Sequence, residues 1–392
     1  MRIILAGSIP IDVVSGGIPL PLLSELEKPT LLVNPRIVRE NITFMADKAR
    51  QQNVRFRPHF KTHQSATVGE WFNEAGVKAI TVSSVDMADY FARHGWKDIL
   101  IAFPVNVRQL RTINSLASQV RLGLLVESVE SVHQLASGLQ FPVDLWIKVD
   151  SGSGRTGLVW NRLPEIKLLA ETITTGSNFT LRGLLTHAGY TYSSTSREDI
   201  CQRYQTSVSR MIKLQSELAA AGLGPIEISV GDTPGCTVCS DLGRVDEIRP
   251  GNFVFYDGQM LHLGVCTPRQ IAAVLACPVV ALHPERGEVV VYGGAVHLSK
   301  DTIIQDGIAH FGLVVFLSEN GEWSEPVPQA YAARLSQEHG ILHLPPEGIQ
   351  RLKVGDWLGV LPAHICLTVA CMGRYRLLDG TEITTYRSSE LA

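Results

Sequence analysis

The feature that most constrains this chain is an alternation of two periods. From Pro29 to about position 230, short apolar runs rich in Val, Ile and Leu alternate with longer segments of helical period. A parallel sheet demands this order, because parallel neighbours need a crossover connection rather than a tight turn. Strands are expected at 30–33, 54–59, 79–83, 99–103, 122–126, 145–149, 181–186 and 227–230, with helices at 36–52, 85–94, 107–118, 128–139, 163–175 and 198–221. Eight strands with intervening helices over about two hundred residues suit a closed barrel better than an open doubly wound sheet.

After Gly251 the texture changes to closely spaced β-like runs at 270–275, 279–283, 288–292, 312–318, 357–360 and 375–378, separated by Gly, Pro and charged turns. The expected fold class is therefore α/β, a parallel β/α (TIM-like) barrel with a second, mostly β domain. The expected division is 29–255 for the barrel and 256–392 for the β domain, joined by region 1–28. Two domains sharing one site is the ordinary expectation for 392 residues. The opening apolar run at 1–10 is short and lacks a small-residue cleavage site, so it reads as a strand rather than a signal peptide.

Composition removes several function classes. The net charge is −3 with 19% charged residues and no polybasic run, which argues against nucleic acid and anionic membrane as partners. No apolar run is long enough to span a bilayer. Seven cysteines, an odd number scattered along the chain, do not form a disulfide framework and point to a reducing, cytoplasmic compartment. Cys236 and Cys239 form a single Cys-x-x-Cys with no second pair, which reads as incidental.

Chemistry concentrates in a few segments. Arg57-Pro58-His59-Phe60-Lys61-Thr62-His63 places a lysine at the end of an expected barrel strand, where side chains enter the active site. A continued strand would bring His59 and His63 to the lysine's own face, and such a lysine can form an imine with an aldehyde cofactor. Position alone also fits a surface lysine. Ser229-Val230-Gly231-Asp232-Thr233-Pro234 and Pro250-Gly251-Asn252 follow late strands, where backbone N–H groups can cradle a phosphate, although each also reads as a turn. Arg155, in Gly152-Ser153-Gly154-Arg155-Thr156-Gly157, follows the strand at 145–149; it can donate to a cofactor oxygen or a carboxylate, or form a loop salt bridge. These glycines lack the spacing of a dinucleotide fingerprint. His364 and Cys366 would share a face if 363–368 were extended, and imidazole plus thiolate prefers zinc among common metals; a lone His-x-Cys is otherwise structural.

Taken together, these segments resemble the D-threonine aldolase and D-serine dehydratase family of pyridoxal-phosphate enzymes, which has the alanine-racemase-like fold. The resemblance runs from Lys28-Pro29-Thr30 through Lys61, the 149–157 stretch, Ser229 to Pro234 and Arg249 to Asp257, ending at Pro362-Ala363-His364-Ile365-Cys366. It implies pyridoxal 5'-phosphate bound as a Schiff base at Lys61, with His59, Arg155, Tyr192, Thr233, Gly251 and Asn252 around the cofactor. It also implies a divalent metal on His364 and Cys366, zinc foremost and manganese or magnesium as alternatives, with Glu338 or His339 in an outer shell. In the dehydratase branch the second ligand is cysteine, whereas the aldolase branch tends to have aspartate.

The implied substrate is a D-3-hydroxy amino acid, and the implied assembly a homodimer in which each β domain closes a partner's barrel mouth. Lys61, freed as an amine, is the expected base. Dehydration to a 2-oxo acid and ammonia is favoured, and retro-aldol cleavage to glycine and an aldehyde uses the same residues. A racemase would need a second base such as Tyr292, Tyr331 or Tyr375, and a non-enzymatic cofactor carrier would need neither β domain nor metal pair. Cofactor and metal are expected to bind independently of one another.

Overall fold

The computed structural model describes residues 22–389. The strand expected at 1–10 lies outside the described residues, and Leu22–Glu25 form a short 3-10 turn.

The first sheet runs through eight parallel strands, Arg55–Phe56, Ile80–Val82, Asp98–Pro104, Arg121–Val126, Val143–Asp150, Phe179–His187, Glu227–Gly231 and Glu247–Ile248, each beside its neighbour in chain order. The last pairs with the first through Glu247 and Arg55. Between the first and second the link is a parallel bridge from His59 to Thr81. There the Phe60 N–H donates to the Thr81 carbonyl at 2.8 Å and the Thr81 N–H to the Pro58 carbonyl at 2.9 Å. Those bonds complete the ring, so the expected β/α barrel is present.

One expected barrel strand belongs elsewhere. Thr30–Val33 pairs antiparallel with Ala273–His283 and parallel with Arg374–Leu377 in the second sheet. A four-residue apolar run, three of its residues fully buried, says nothing about which sheet buries it. Its place in the ring is taken by Glu247–Ile248, which is too short to show a period.

In the second sheet, Ala273–His283, Glu288–Tyr292, His339–His343, Tyr331–Leu335, Gly312–Phe316 and Trp357–Pro362 close into an antiparallel ring, because Ala273–His283 pairs with both Glu288–Tyr292 and Trp357–Pro362. The runs expected at 270–275 and 279–283 are one strand that passes through Pro278, with a register shift between Val279 and Ala281. Proline is tolerated at such irregularities.

Local chemistry sets the helices. Pro35–Gln51 opens on proline after Asn34, whose side chain accepts from the Arg36 and Ile37 N–H groups. Its apolar stripe, Ile37, Val38, Ile42, Met45 and Ala49, is buried; truncating a fully enclosed residue such as Ile42 to Ala costs about 2–5 kcal/mol. Ser84, Ser128 and Ser196 cap three further helices in the same way. Among the described residues no helix is long and apolar enough to cross a membrane.

Candidate active site

The C-terminal ends of the barrel strands, together with elements of the β domain, enclose a cleft of about 850 Å³, a size typical of small-molecule sites. His59, Lys61, Arg155, Tyr192, Thr233, Gly251, Asn252, His364 and Cys366 all line it. Sequence reasoning selected each of these, and the fold brings them together.

Lys61 sits on a turn rather than in a strand. Beyond the His59 bridge the Gln64 N–H returns to the Phe60 carbonyl at 3.0 Å, and the Gln64 side chain donates to the Lys61 carbonyl at 2.9 Å. The chain therefore stops alternating at Phe60, and His63 departs from its expected place beside the lysine. Its buried ring packs against Phe60 at 4.4 Å and Phe72 at 5.5 Å, and burial pushes its imidazole down to about 3. His59 remains at the lysine, and its Nδ1 accepts from the Lys61 N–H at 3.4 Å. Burial foremost, then Lys61 and neighbouring cations, hold its imidazole well below the ordinary value, which keeps it neutral.

The loop bearing Arg155 is organised by Asp150, whose carboxylate accepts from the N–H groups of Gly152 at 2.9 Å and Ser153 at 2.7 Å and also from that of Gly154. Gly152, with φ of 129°, adopts a conformation that L side chains rarely take. The Ser153 hydroxyl then donates to the His187 carbonyl at 3.0 Å.

The late strands end in the stretches read as a phosphate cup. Asp232 caps the turn Thr233–Val238 and accepts from the Gly235 N–H and the Thr191 hydroxyl. Burial pushes its carboxyl up to about 7. The Tyr192 hydroxyl accepts from the Thr233 N–H at 3.3 Å. Asn252 opens the turn Asn252–Val254, and the first N–H groups of such turns have no partner within them. Three buried polar atoms here, Thr233 Oγ1, Asn252 Oδ1 and Asp232 Oδ1, lack a hydrogen-bond partner. Buried polar atoms are seldom left unpaired without a reason. Asn252 Oδ1 and Asp232 Oδ1 are acceptors, so the Thr233 hydroxyl is the donor among them; with the cations Lys148, Arg155 and Arg249 lining the same cleft, it fits an anionic cofactor bearing a phosphate.

His364 and Cys366 reach the cleft by a different geometry from the one expected. The segment is helical: His364 is the N-cap of Ile365–Met372, and Cys366 lies in the first turn. The apolar run Ile365-Cys366-Leu367 carries no sign that separates helix from strand. The two side chains nonetheless line the same cleft. The buried Asp257 carboxylate accepts from His364 Nδ1–H at 3.0 Å and from the Ile365 N–H at 3.1 Å. The carboxylate bonded to the pair is thus Asp257, while Glu338 lies 3.9 Å from His297. Thr62 Oγ1 is 3.2 Å from Cys366 Sγ.

Burial opposes charge on both His364 and Cys366, yet their mutual attraction and hydrogen bonds prevail, raising the imidazole and lowering the thiol. With Nδ1 engaged by Asp257, His364 keeps Nε2 for a metal, the arrangement usual for metal-ligating histidines. Among the described residues no group of three or more His, Cys, Asp or Glu side chains forms a complete metal set. The imidazole and thiol of the pair fit a divalent metal as part of its ligand set.

Other residues at the cleft were missed. Lys148, His187, Asp232 and Arg249 line it, each near the end of a barrel strand, and strand-end position was the signal that could have found them. Burial pushes the Lys148 ammonium down to about 8, helped by repulsion from Arg249 and Arg155. His187 Nδ1–H donates to the Gly231 carbonyl. Tyr292, Tyr331 and Tyr375, weighed as a second base from the other domain or from a partner subunit, do not line the cleft of their own chain.

Barrel, β domain and mouth-facing lysine define the alanine-racemase-like architecture. The alanine racemase N-terminal domain matches residues 33–258, and the domain described as "Putative serine dehydratase domain" matches residues 272–378. The chain belongs to the pyridoxal-phosphate-dependent lyase family that contains D-serine dehydratases, 3-hydroxyaspartate dehydratases and aldolases, and D-threonine aldolases.

Among its relatives, a D-threo-3-hydroxyaspartate dehydratase from Delftia is 30% identical over 93% of this chain and 98% of its own length. A D-serine dehydratase from Dictyostelium discoideum is 26% identical over 91% and 95%. The solved structure of the Delftia enzyme superposes with a TM-score of 0.85 at 29% identity, covering 94% of this chain and 99% of that one. A cysteine-to-alanine mutant of it has been solved in a form described as metal-free.

Proposed function

We propose that this protein dehydrates a D-3-hydroxy amino acid of the D-serine or 3-hydroxy-D-aspartate type to a 2-oxo acid and ammonia. The observation that carries the reading is the meeting of Lys61 and the His364–Cys366 pair in one cleft, joined where Thr62 touches Cys366 at 3.2 Å. The names of the similar dehydratases support it.

Lys61 would hold pyridoxal phosphate, with Thr233, Gly251 and Asn252 at its phosphate and Arg155, His59 and Tyr192 at its ring. Bound there, the cofactor supplies an electron sink that acidifies the substrate's Cα–H. A divalent metal on His364 and Cys366, zinc by the softness of the thiolate, supplies Lewis acidity at the substrate's 3-hydroxyl.

The chain's own groups do the rest. Lys61 Nζ, as a free amine at the cleft, would take the α-proton. His59 and His187, both held neutral, line the same cleft without adding charge. Asp257 fixes the His364 ring. The same machinery would serve retro-aldol cleavage, but the thiolate ligand of the pair favours dehydration. The reading extends to a homodimer in the cytoplasm, where seven free thiols would remain reduced.

Incubating the purified protein with D-serine, D-threonine and 3-hydroxy-D-aspartate separates the outcomes. Keto acid with ammonia is expected. Glycine with an aldehyde, the opposite enantiomer, or no product would each replace this reading with aldolase, racemase or carrier.

A further inference from the structure

Two buried side chains span the gap between the cofactor half of the cleft and the metal half, and neither binds cofactor or metal in the reading above. The first is Asp257, which is fully enclosed. Its Oδ2 accepts from Asn252 Nδ2 on one side and from His364 Nδ1 and the Ile365 N–H on the other. Its Oδ1 accepts from the Met260 N–H at 3.0 Å. The second is Thr62, the residue after Lys61, also fully enclosed, with its hydroxyl 3.2 Å from Cys366 Sγ. Gln64 reinforces that link by donating to the Lys61 carbonyl at 2.9 Å and the Cys366 carbonyl at 3.5 Å.

We infer that Asp257 and Thr62 are positioning residues that make cofactor and metal bind cooperatively, each tightening the other. This rests on the proposed cofactor and metal sites and revises the expectation of independent binding.

The physical argument has two parts. A metal on His364 Nε2 and Cys366 Sγ holds the imidazole and the thiolate still. The first steadies Asp257 and through it Asn252; the second fixes the Thr62 hydroxyl and with it the Lys61 turn. A cofactor arriving at Lys61 and Asn252 then has less ordering to impose, and shared ordering of this kind gives positive cooperativity. Charge acts in the same direction, because a divalent cation and an anionic phosphate in one low-dielectric cleft attract. Linkage requires the coupling to be reciprocal.

The test titrates Zn²⁺ against a competing chelator in the full chain, with pyridoxal phosphate present or removed, and titrates pyridoxal phosphate with and without Zn²⁺. Each ligand should tighten the other by the same factor, about 5-fold or more, the lower end of allosteric couplings. Thr62→Val should reduce that factor while both ligands still bind, and Thr62→Ser, which restores the hydroxyl, should keep it; Asp257→Asn should reduce it through the other bridge. Equal zinc affinity with and without cofactor in the wild type, or an undiminished factor in Thr62→Val, overturns the coupling. Failure of zinc to bind the wild type at all is a different result, and removes the metal site together with the coupling.

Discussion

His364 donates its Nδ1–H to the Asp257 carboxylate at 3.0 Å, although the two residues lie 107 positions apart in the chain. The contact joins the start of the β domain's Ile365–Met372 helix to the segment that follows the last barrel strand, which also carries Asn252. The proposed metal ligand His364 and Asn252 of the proposed phosphate cup thereby share one carboxylate.

Lys61 is assigned the cofactor, so Lys61→Ala should fold normally yet lose both the visible absorbance of lysine-bound pyridoxal phosphate and the adduct trapped by borohydride. Absorbance spectra and mass spectrometry of the reduced protein check this. A borohydride-stable adduct surviving in the variant would place the cofactor on another lysine, with Lys148 the first to examine.

Thr233 Oγ1 is buried without a partner, as expected of a hydroxyl awaiting a phosphate. Thr233→Val keeps the volume and removes the hydroxyl. Cofactor affinity should fall about tenfold or more, because hydrogen bonds to charged groups contribute about 1.5–3 kcal/mol. The melting temperature of the cofactor-free protein should stay level or rise, since no unpaired polar atom remains buried. Unchanged affinity by equilibrium titration would make this an ordinary turn. Gly251 is the less clean probe, since a Cβ there would meet the His59 carbonyl at 2.9 Å and disturb folding as well as binding.

The sequence revealed the architecture and most of the cleft for one reason. Lys61, Arg155, Tyr192, Thr233 and Gly251 each follow a barrel strand, and the strand ends of a β/α barrel converge whatever the loops do. What escaped it depended on contacts between distant segments. Thr30–Val33 is an apolar run that either sheet could bury. His63 would flank Lys61 only if the strand continued, and the turn at Phe60 ends it. Asp257 has no local pattern tying it to His364, so Glu338 stood in its place.

Burial, helped by repulsion from Arg249 and Arg155, pushes the Lys148 ammonium down to about 8, well below its usual value. Between about pH 8 and the ordinary lysine range the unfolded chain binds more protons than the folded one, so stability rises with pH across that window. Below it the buried charge imposes its full cost, on the order of 3 kcal/mol. Lys148→Met should therefore stabilise the cofactor-free protein at pH 7, with a smaller advantage at pH 10. Urea unfolding at the two values checks this; an advantage independent of pH would contradict it.

The central claim is that in the chemical steps the metal pair serves the 3-hydroxyl, whereas Lys61 handles the α-proton. The direct measurement follows ammonia release and deuterium uptake at Cα from D-serine in deuterated water, comparing metal-loaded protein with chelated protein and with Cys366→Ala. Ammonia and pyruvate should form in equal amounts only in the metal-loaded wild type, while all three forms wash deuterium into Cα. Full ammonia release from chelated protein or from Cys366→Ala would contradict the account and leave His364 and Cys366 with a structural role.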